Sequence, residues 1–199
     1  MRVRRLLLSL VVAIVPAAVA WADEVPFGLH WGDQLDYLST KEVIGQVQKD
    51  DGKSLLVVAR NLRPLPAETD SVLMVVHRQL GLQRIVWLSK DIDNDPAGAK
   101  GIALFQQIKA KLTEIYGRPR FLSEEMLDTG HFYRCLASDG CGSYAARWRT
   151  DDGGVVMQLA ASKDGELGRI ETVYEGPAWQ EVVADRDRKP TEPAAPAKR

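Results

Sequence analysis

Two Asp-Gly dipeptides, Asp152-Gly153 and Asp164-Gly165, constrain this chain more than any other feature. Each stands between strand-like runs, and Asp-Gly favours the tight turns that reverse a β-strand. With each pair at the centre of its turn, Trp148 faces Met157 and Ala146 faces Leu159 in the first hairpin. In the second, Leu159 faces Ile170 and Val155 faces Tyr174. Strand side chains alternate between faces, so these apolar residues share one side of a sheet. Arg147, Arg149, Gln158, Arg169 and Glu171 fall on the other. Two independent turns assign the same inside and outside, as expected of a chain that specifies one fold. A sheet with one apolar and one wet face is antiparallel and needs a lid on one side only.

The lid is written between Asp93 and Pro119. Ile102, Phe105, Ile108, Leu112 and Ile115 recur in steps of three or four and draw one apolar stripe down a helix. Asp95 is the expected N-cap, with Pro96 at the first helical position, where a missing N–H costs nothing. Lys109 and Lys111 approach the negative pole of the dipole, Gly117 supplies a left-handed cap, and Pro119 forbids continuation. Upstream, Phe27 to Gly32 reads as an opening strand. A weak helical pattern through Leu35, Leu38, Val43 and Ile44 admits one short helix. Leu55–Leu62, Ser71–Gln79 and Leu82–Ser89 are strands, and three or four more follow the long helix up to Tyr174. No internal repeat stands out. The expectation is a two-layer α+β domain: an antiparallel sheet of six or seven strands on one long helix, about 97–116, with at most one short helix besides.

The ends carry other information. Met1 to Ala22 has three arginines, an apolar run from Leu6 to Val15 and small residues before Asp23, the pattern of a signal peptide. Residues 1–22 are therefore expected to be cleaved after Ala22, with Ala20 as the alternative, leaving one domain over 23–184 in the periplasm or outside the cell. No later run approaches the ~20 apolar residues of a membrane span. Removing Arg2, Arg4 and Arg5 from the 26 basic residues leaves 23 against 27 acidic, a net −4. A mildly acidic chain argues against a nucleic-acid partner, which demands a concentrated basic surface. Residues 185–199 turn to charge, Pro and Ala, too little apolar surface to order a chain, and are expected to be a disordered tail.

Cys135 and Cys141 flank LASDG, and a hairpin centred on Ser138 sets them opposite each other. In an oxidising compartment such a pair forms a disulfide. Their spacing is not the Cys-x-x-Cys of redox pairs, and with His131 they make only three scattered metal candidates, so neither redox nor metal chemistry is expected. Cys141-Gly142-Ser143-Tyr144 resembles the Cys-Gly-Ser-Cys-Trp of papain-like proteases, but Tyr144 stands where the nucleophile belongs. His30, His77 and His131 have no partners at ligand spacing and read as ordinary half-exposed side chains. Glu124-Glu125, Asp151-Asp152 and Asp91, Asp93 and Asp95 read as turn and capping carboxylates. Trp31, Trp87, Trp148 and Tyr174 are spaced as core. Trp179, beyond Gly176-Pro177, is the aromatic outside the strands, either folded back on the sheet or a contact residue. No catalytic residue and no cofactor is expected.

Phe27-Gly28-Leu29-His30-Trp31-Gly32 after a signal peptide, Tyr116-Gly117-Arg118-Pro119 closing a helix, a strand with Trp148 and a last strand ending at Tyr174 together resemble a group of small exported bacterial α+β proteins. In architecture these are similar to β-lactamase-inhibitor-protein-like modules. Where that group carries Ser/Thr-x-x-Glu after the first Gly, this chain has Asp33-Gln34-Leu35-Asp36, and no inhibitory contacts carry over. The resemblance implies a binding or envelope-assembly module. The expected function is a non-enzymatic periplasmic binding or inhibitor-like protein that meets another envelope protein or a small ligand through its open sheet face, at Arg147, Arg149, Arg169 and Trp179. The alternatives are a hydrolase or other enzyme with a site near His77 or His131, and a structural envelope component. A cleft gathering a His, a carboxylate and an Arg favours the enzyme; a broad face of Arg and Trp favours binding.

Overall fold

Period-two alternation and Gly-bearing turns produce more strands than the sequence pattern separates. The computed structural model describes residues 25–128, 130–150 and 153–188. A short helix α1 (Leu35–Thr40) precedes strands β1 (Ile44–Asp50), β2 (Ser54–Ala59), β3 (Thr69–His77) and β4 (Gly81–Ser89). The long helix α2 (Ala99–Tyr116) precedes β5 (Phe121–Met126), β6 (Gly142–Thr150), β7 (Gly153–Ala161) and β8 (Gly168–Glu175). Helix α3 (Phe132–Leu136) lies between β5 and β6, and α4 (Trp179–Asp187) follows β8. The expected signal peptide lies outside the described residues, as does the expected tail from Lys189 onward. Helix α4 reaches Asp187, past the expected domain end at 184.

The α+β class and the antiparallel sheet agree with expectation; the strand and helix numbers do not. All eight strands form one antiparallel sheet in the order β1-β2-β3-β4-β8-β7-β6-β5. Two halves, each a helix followed by a four-stranded meander, therefore meet through β4 and β8 at the centre. This duplication of architecture has no counterpart in the residue pattern. Eight strands at ~4.8 Å span about 34 Å, three times the ~10–12 Å width of a helix, so one helix cannot cover them. Helix α2 lies over β6, β7 and β8. Val25, Leu29, Leu38 and Val43, from the segments around α1, and Leu62, from the loop after β2, complete the same core.

Several local expectations need correction. Phe27–Gly32 is not a strand: Phe27 (φ 66), Gly28 (φ 70) and Gly32 (φ 84) are left-handed, which breaks an extended run, and a 3-10 turn forms over Pro26–Gly28. The helical pattern through Ile44 stops at Thr40, and Ile44 opens the edge strand β1. Helix α2 starts at Ala99 because Asp95 and Gly98 close a turn first, Gly98 N–H donating to the Asp95 carbonyl at 3.0 Å. Gly117 ends the helix, though at φ 76 and ψ −163 rather than in the expected left-handed conformation, and its carbonyl accepts from Trp148 Nε1 at 2.9 Å. Cys135 and Cys141 are bonded, but Cys135 sits on α3, not in a hairpin. Glu124 and Glu125 lie in β5, where Glu124 pairs with Lys109 of α2.

The second hairpin has the expected register, Leu159 opposite Ile170 and Val155 opposite Tyr174. The first is shifted by two: Ala146 faces Met157, and Trp148 faces Val155. Its turn residues Asp151 and Asp152 lie outside the described residues. A shift of two leaves every side chain on its own face, whereas a shift of one would exchange them. Trp87, Trp148, Val155, Met157, Leu159, Ile170 and Tyr174 are buried on the helix side; Trp31 is half-buried.

Candidate functional site

The other sheet face is where the expected binding residues project. Opposed residues trace rows across it. One row runs Arg149, Gly154, Glu175, Arg84, Val75, Leu56. The next runs Phe121, Arg147, Val156, Val173, Val86, Leu73, Val58. A third runs Ser123, Ala145, Gln158, Glu171, Leu88, Ser71. The face is therefore wet over β6–β8, as the turns require, but aliphatic from Val156 and Val173 across to β2. The expectation of a wholly polar face is corrected on this half. Its signal was present: β2, β3 and β4 carry apolar residues at consecutive positions, the mark of a strand with two apolar sides.

Of the four expected contact residues, the structure brings two together. Arg147 and Arg149 are neighbours on this face and both exposed. The Arg147 guanidinium stacks over Phe121 at 5.2 Å, a cation–π contact that holds it flat on the face. Arg169 lies six residues along β8 from the level of Arg149, about 20 Å at the ~3.3 Å strand rise. It is paired with Asp91 at 2.7 Å. Glu171, opposite Gln158 on β7, accepts from its Nε2 at 2.9 Å. Trp179 is 7% exposed; it folds back on the sheet with the Arg84 guanidinium 4.7 Å over its ring. It acts as cover for β4. Arg84, packed on Trp179, and Phe121, under Arg147, escape turn-based reasoning, because neither sits in the two hairpins that set the register.

Helix α4 lies on this face and is anchored at its far end. His77 is 5% exposed, not half-exposed as its sequence position implied. Its Nδ1 accepts the backbone N–H groups of Gln79 and Leu80 at 3.3 and 3.2 Å. That leaves Nε2 directed at Asp185 Oδ2, 3.5 Å away. Lys53 Nζ stands 3.4 Å from the same oxygen. Partial burial works against the Asp185 charge, but the donors of His77 and Lys53 beside it outweigh this and hold the carboxyl below its ordinary pKa. His77 thus faces the helix-borne Asp185 carboxylate with a buried Nε2 that has no hydrogen-bond partner among the described residues.

A hollow of about 280 Å³ at α3 does gather His131, Asp95, Tyr133, Arg134 and Glu166. One of its two acids, Asp95, is committed to the fold. Asp95 Oδ2 accepts the Gly101 N–H at 3.0 Å, capping α2, and the Tyr133 hydroxyl at 2.8 Å. Burial opposes its ionisation most strongly, yet the N–H groups of Gly101, Lys100 and Ala99 and the Tyr133 hydroxyl together lower its pKa. Burial and the Asp95 charge raise that of Tyr133, which stays a donor. His131 and Asp128 form a pair at 3.5 Å that is 65% and 52% exposed. Among the described residues, no Ser, Thr or Cys lines the hollow. A larger cleft of about 720 Å³ beside the end of α2 is mainly apolar, walled by Phe27, Leu65, Ile115 and Tyr174 with His30 and Lys111 at its rim.

The chain matches no protein-family model, no curated protein and no solved structure. Geometry alone therefore bears on function. No helix among the described residues is long and apolar enough to cross a membrane. Among the same residues, no group of His, Cys, Asp or Glu is placed to hold a metal ion.

Proposed function

We propose that the protein is an exported, non-enzymatic periplasmic binding module of the β-lactamase-inhibitor-protein-like kind, and that it seats an envelope protein on the open sheet face over β5–β8. One observation carries this reading: half-buried Val156, Val173 and Leu88 lie in the open beside exposed Arg147, flattened on Phe121, and Arg149. Aliphatic surface flanked by stacked arginine is the composition of an interaction core, where Arg and aromatic residues dominate binding energy.

The test places a photo-crosslinking residue at Gln158 on the open face and, in a separate variant, at Gln107 on the solvent side of α2. The Gln158 variant should form a discrete adduct in an envelope extract and the Gln107 variant none. Arg147→Glu with Arg149→Glu should remove that adduct while changing stability by no more than about 0.5 kcal/mol per site, as for surface changes generally. Equal adducts from both faces, or an adduct indifferent to charge reversal, refute the reading. A double variant that cannot fold would also refute it, because those arginines would then be structural.

A further inference from the structure

Beyond that partner face, a groove of about 370 Å³ runs between α4 and strands β2–β4. Leu56, Leu73, Val75 and Val86 form its floor and Trp179 and Val182 its wall, while Lys49 and Arg186 stand at the rim. Arg84 rises from the floor against Trp179. Its Nε is shielded from solvent and has no hydrogen-bond partner among the described residues. Among the described residues it forms no ion pair, not even with Glu175, its opposite number on β8. A shielded guanidinium donor without an acceptor is uncommon, because native structures satisfy nearly all buried polar groups. Asp51 is the acid of the lining, and its Oδ1 already accepts the N–H groups of Lys53 and Ser54 at 3.0 and 2.7 Å. Arg186 has Asp187 beside it at 3.3 Å, an exposed pair that screens little. The groove therefore joins an aliphatic floor to unspent positive charge.

We propose that this groove binds the carboxylate form of a single medium-length fatty acid. The chain lies on Leu56, Leu73, Val75 and Val86 under Trp179, and the carboxylate meets the Arg84 fork, which fits a planar oxyanion through two parallel hydrogen bonds. Lys49 and Arg186 add attraction from the rim. The volume sits at the low end of small-ligand pockets, room for one chain and not for a two-chain lipid. Arg147 and Arg149 do not line the groove, so failure here leaves the partner-face reading standing, and the reverse.

The experiment titrates the full chain with dodecanoate, dodecanol and dodecanoyl lysophosphatidate by calorimetry and follows amide NMR shifts. One saturable dodecanoate site is expected, at least tenfold tighter than dodecanol, with shifts on β2–β4 and α4. Arg84→Gln should weaken it at least tenfold, and Glu175→Gln should tighten it, because a negative charge near Arg84 that repels the carboxylate is removed. If Arg84→Gln unfolds the chain, Lys49→Gln with Arg186→Gln serves instead, since both side chains are exposed; a loss of threefold or more at unchanged Tm is expected. Four outcomes overturn the proposal: no saturable dodecanoate binding; equal affinity for dodecanol; shifts centred on the Phe27 and Tyr174 cleft; or lysophosphatidate binding tenfold tighter than dodecanoate, which would make the site one for phosphate.

Discussion

Asp95→Ala should be among the most damaging single changes to this fold that leaves the open sheet face untouched. One carboxylate oxygen joins two elements: it caps α2 through the Gly101 N–H and accepts the hydroxyl of Tyr133 on α3. Losing a helix cap costs about 1 kcal/mol. Tyr133 is 2% exposed, so its hydroxyl would be left buried without an acceptor, a further ~1–3 kcal/mol. Together the loss is about 3 kcal/mol. For a domain of this size that lowers Tm by about 6–12 °C. Urea unfolding followed by circular dichroism measures it, and a double-mutant cycle with Tyr133→Phe apportions it. In the Phe background Asp95→Ala should cost only the cap, giving a coupling of about 1–2 kcal/mol. Asp95→Asn keeps an acceptor and should cost less than Asp95→Ala. The Asp95 pKa is lowered in the folded state, so its contribution is present above the unfolded value near pH 4 and is lost as pH falls through the folded one. The gap between wild type and Asp95→Asn should therefore close in acid. A cost below about 1 kcal/mol at neutral pH, or additivity of the two substitutions within ~0.5 kcal/mol, would refute the argument.

Two further outcomes follow from the same packing. Gly101→Ala should destabilise by about 1–3 kcal/mol despite the helix-propensity gain of up to ~1 kcal/mol, because an added Cβ would sit 2.4 Å from the Tyr133 hydroxyl oxygen; a variant with raised Tm would show that Tyr133 is not held there. Asp185→Asn should speed hydrogen exchange in α4 without moving the global urea midpoint, since Asp185 joins the helix to His77 and Lys53. In the wild type that anchorage should loosen as pH falls through the lowered Asp185 value, below about pH 4. Unchanged exchange across Val182–Arg186 would mean that Trp179 alone holds α4.

Legibility differed from element to element for physical reasons. Helix α2 was readable to within two residues because its stripe, its Gly117 cap and Pro119 are all local signals. Strand β1 was not, because an exposed edge strand carries no apolar alternation beyond its first residues. Helices α3 and α4 were missed because they are short and their stability comes from what they touch: Phe132 and Tyr133 beneath α2, Trp179 and Val182 on the sheet. The open-face arginines were placed on the correct side by alternation alone. Their distribution was not legible, since Arg169 is drawn to Asp91, outside both hairpins.

Sequence by itself determined parity: which residues of β6, β7 and β8 turn inward, and that Cys135 and Cys141 are close enough to join. Alternation has a period of two, so even the two-residue shift of the first hairpin left every inward residue inward. Only the tertiary structure decided which strands are neighbours. The pairing of β4 with β8 sets Arg84 beside Glu175 and Val86 beside Val173, joining two meanders that are far apart along the chain. No local pattern encodes such a contact, because its stabilisation appears only after a long loop has been closed. That same closure laid the aliphatic side of β2–β4 next to the arginine-bearing strands and gave α4 a surface to cover.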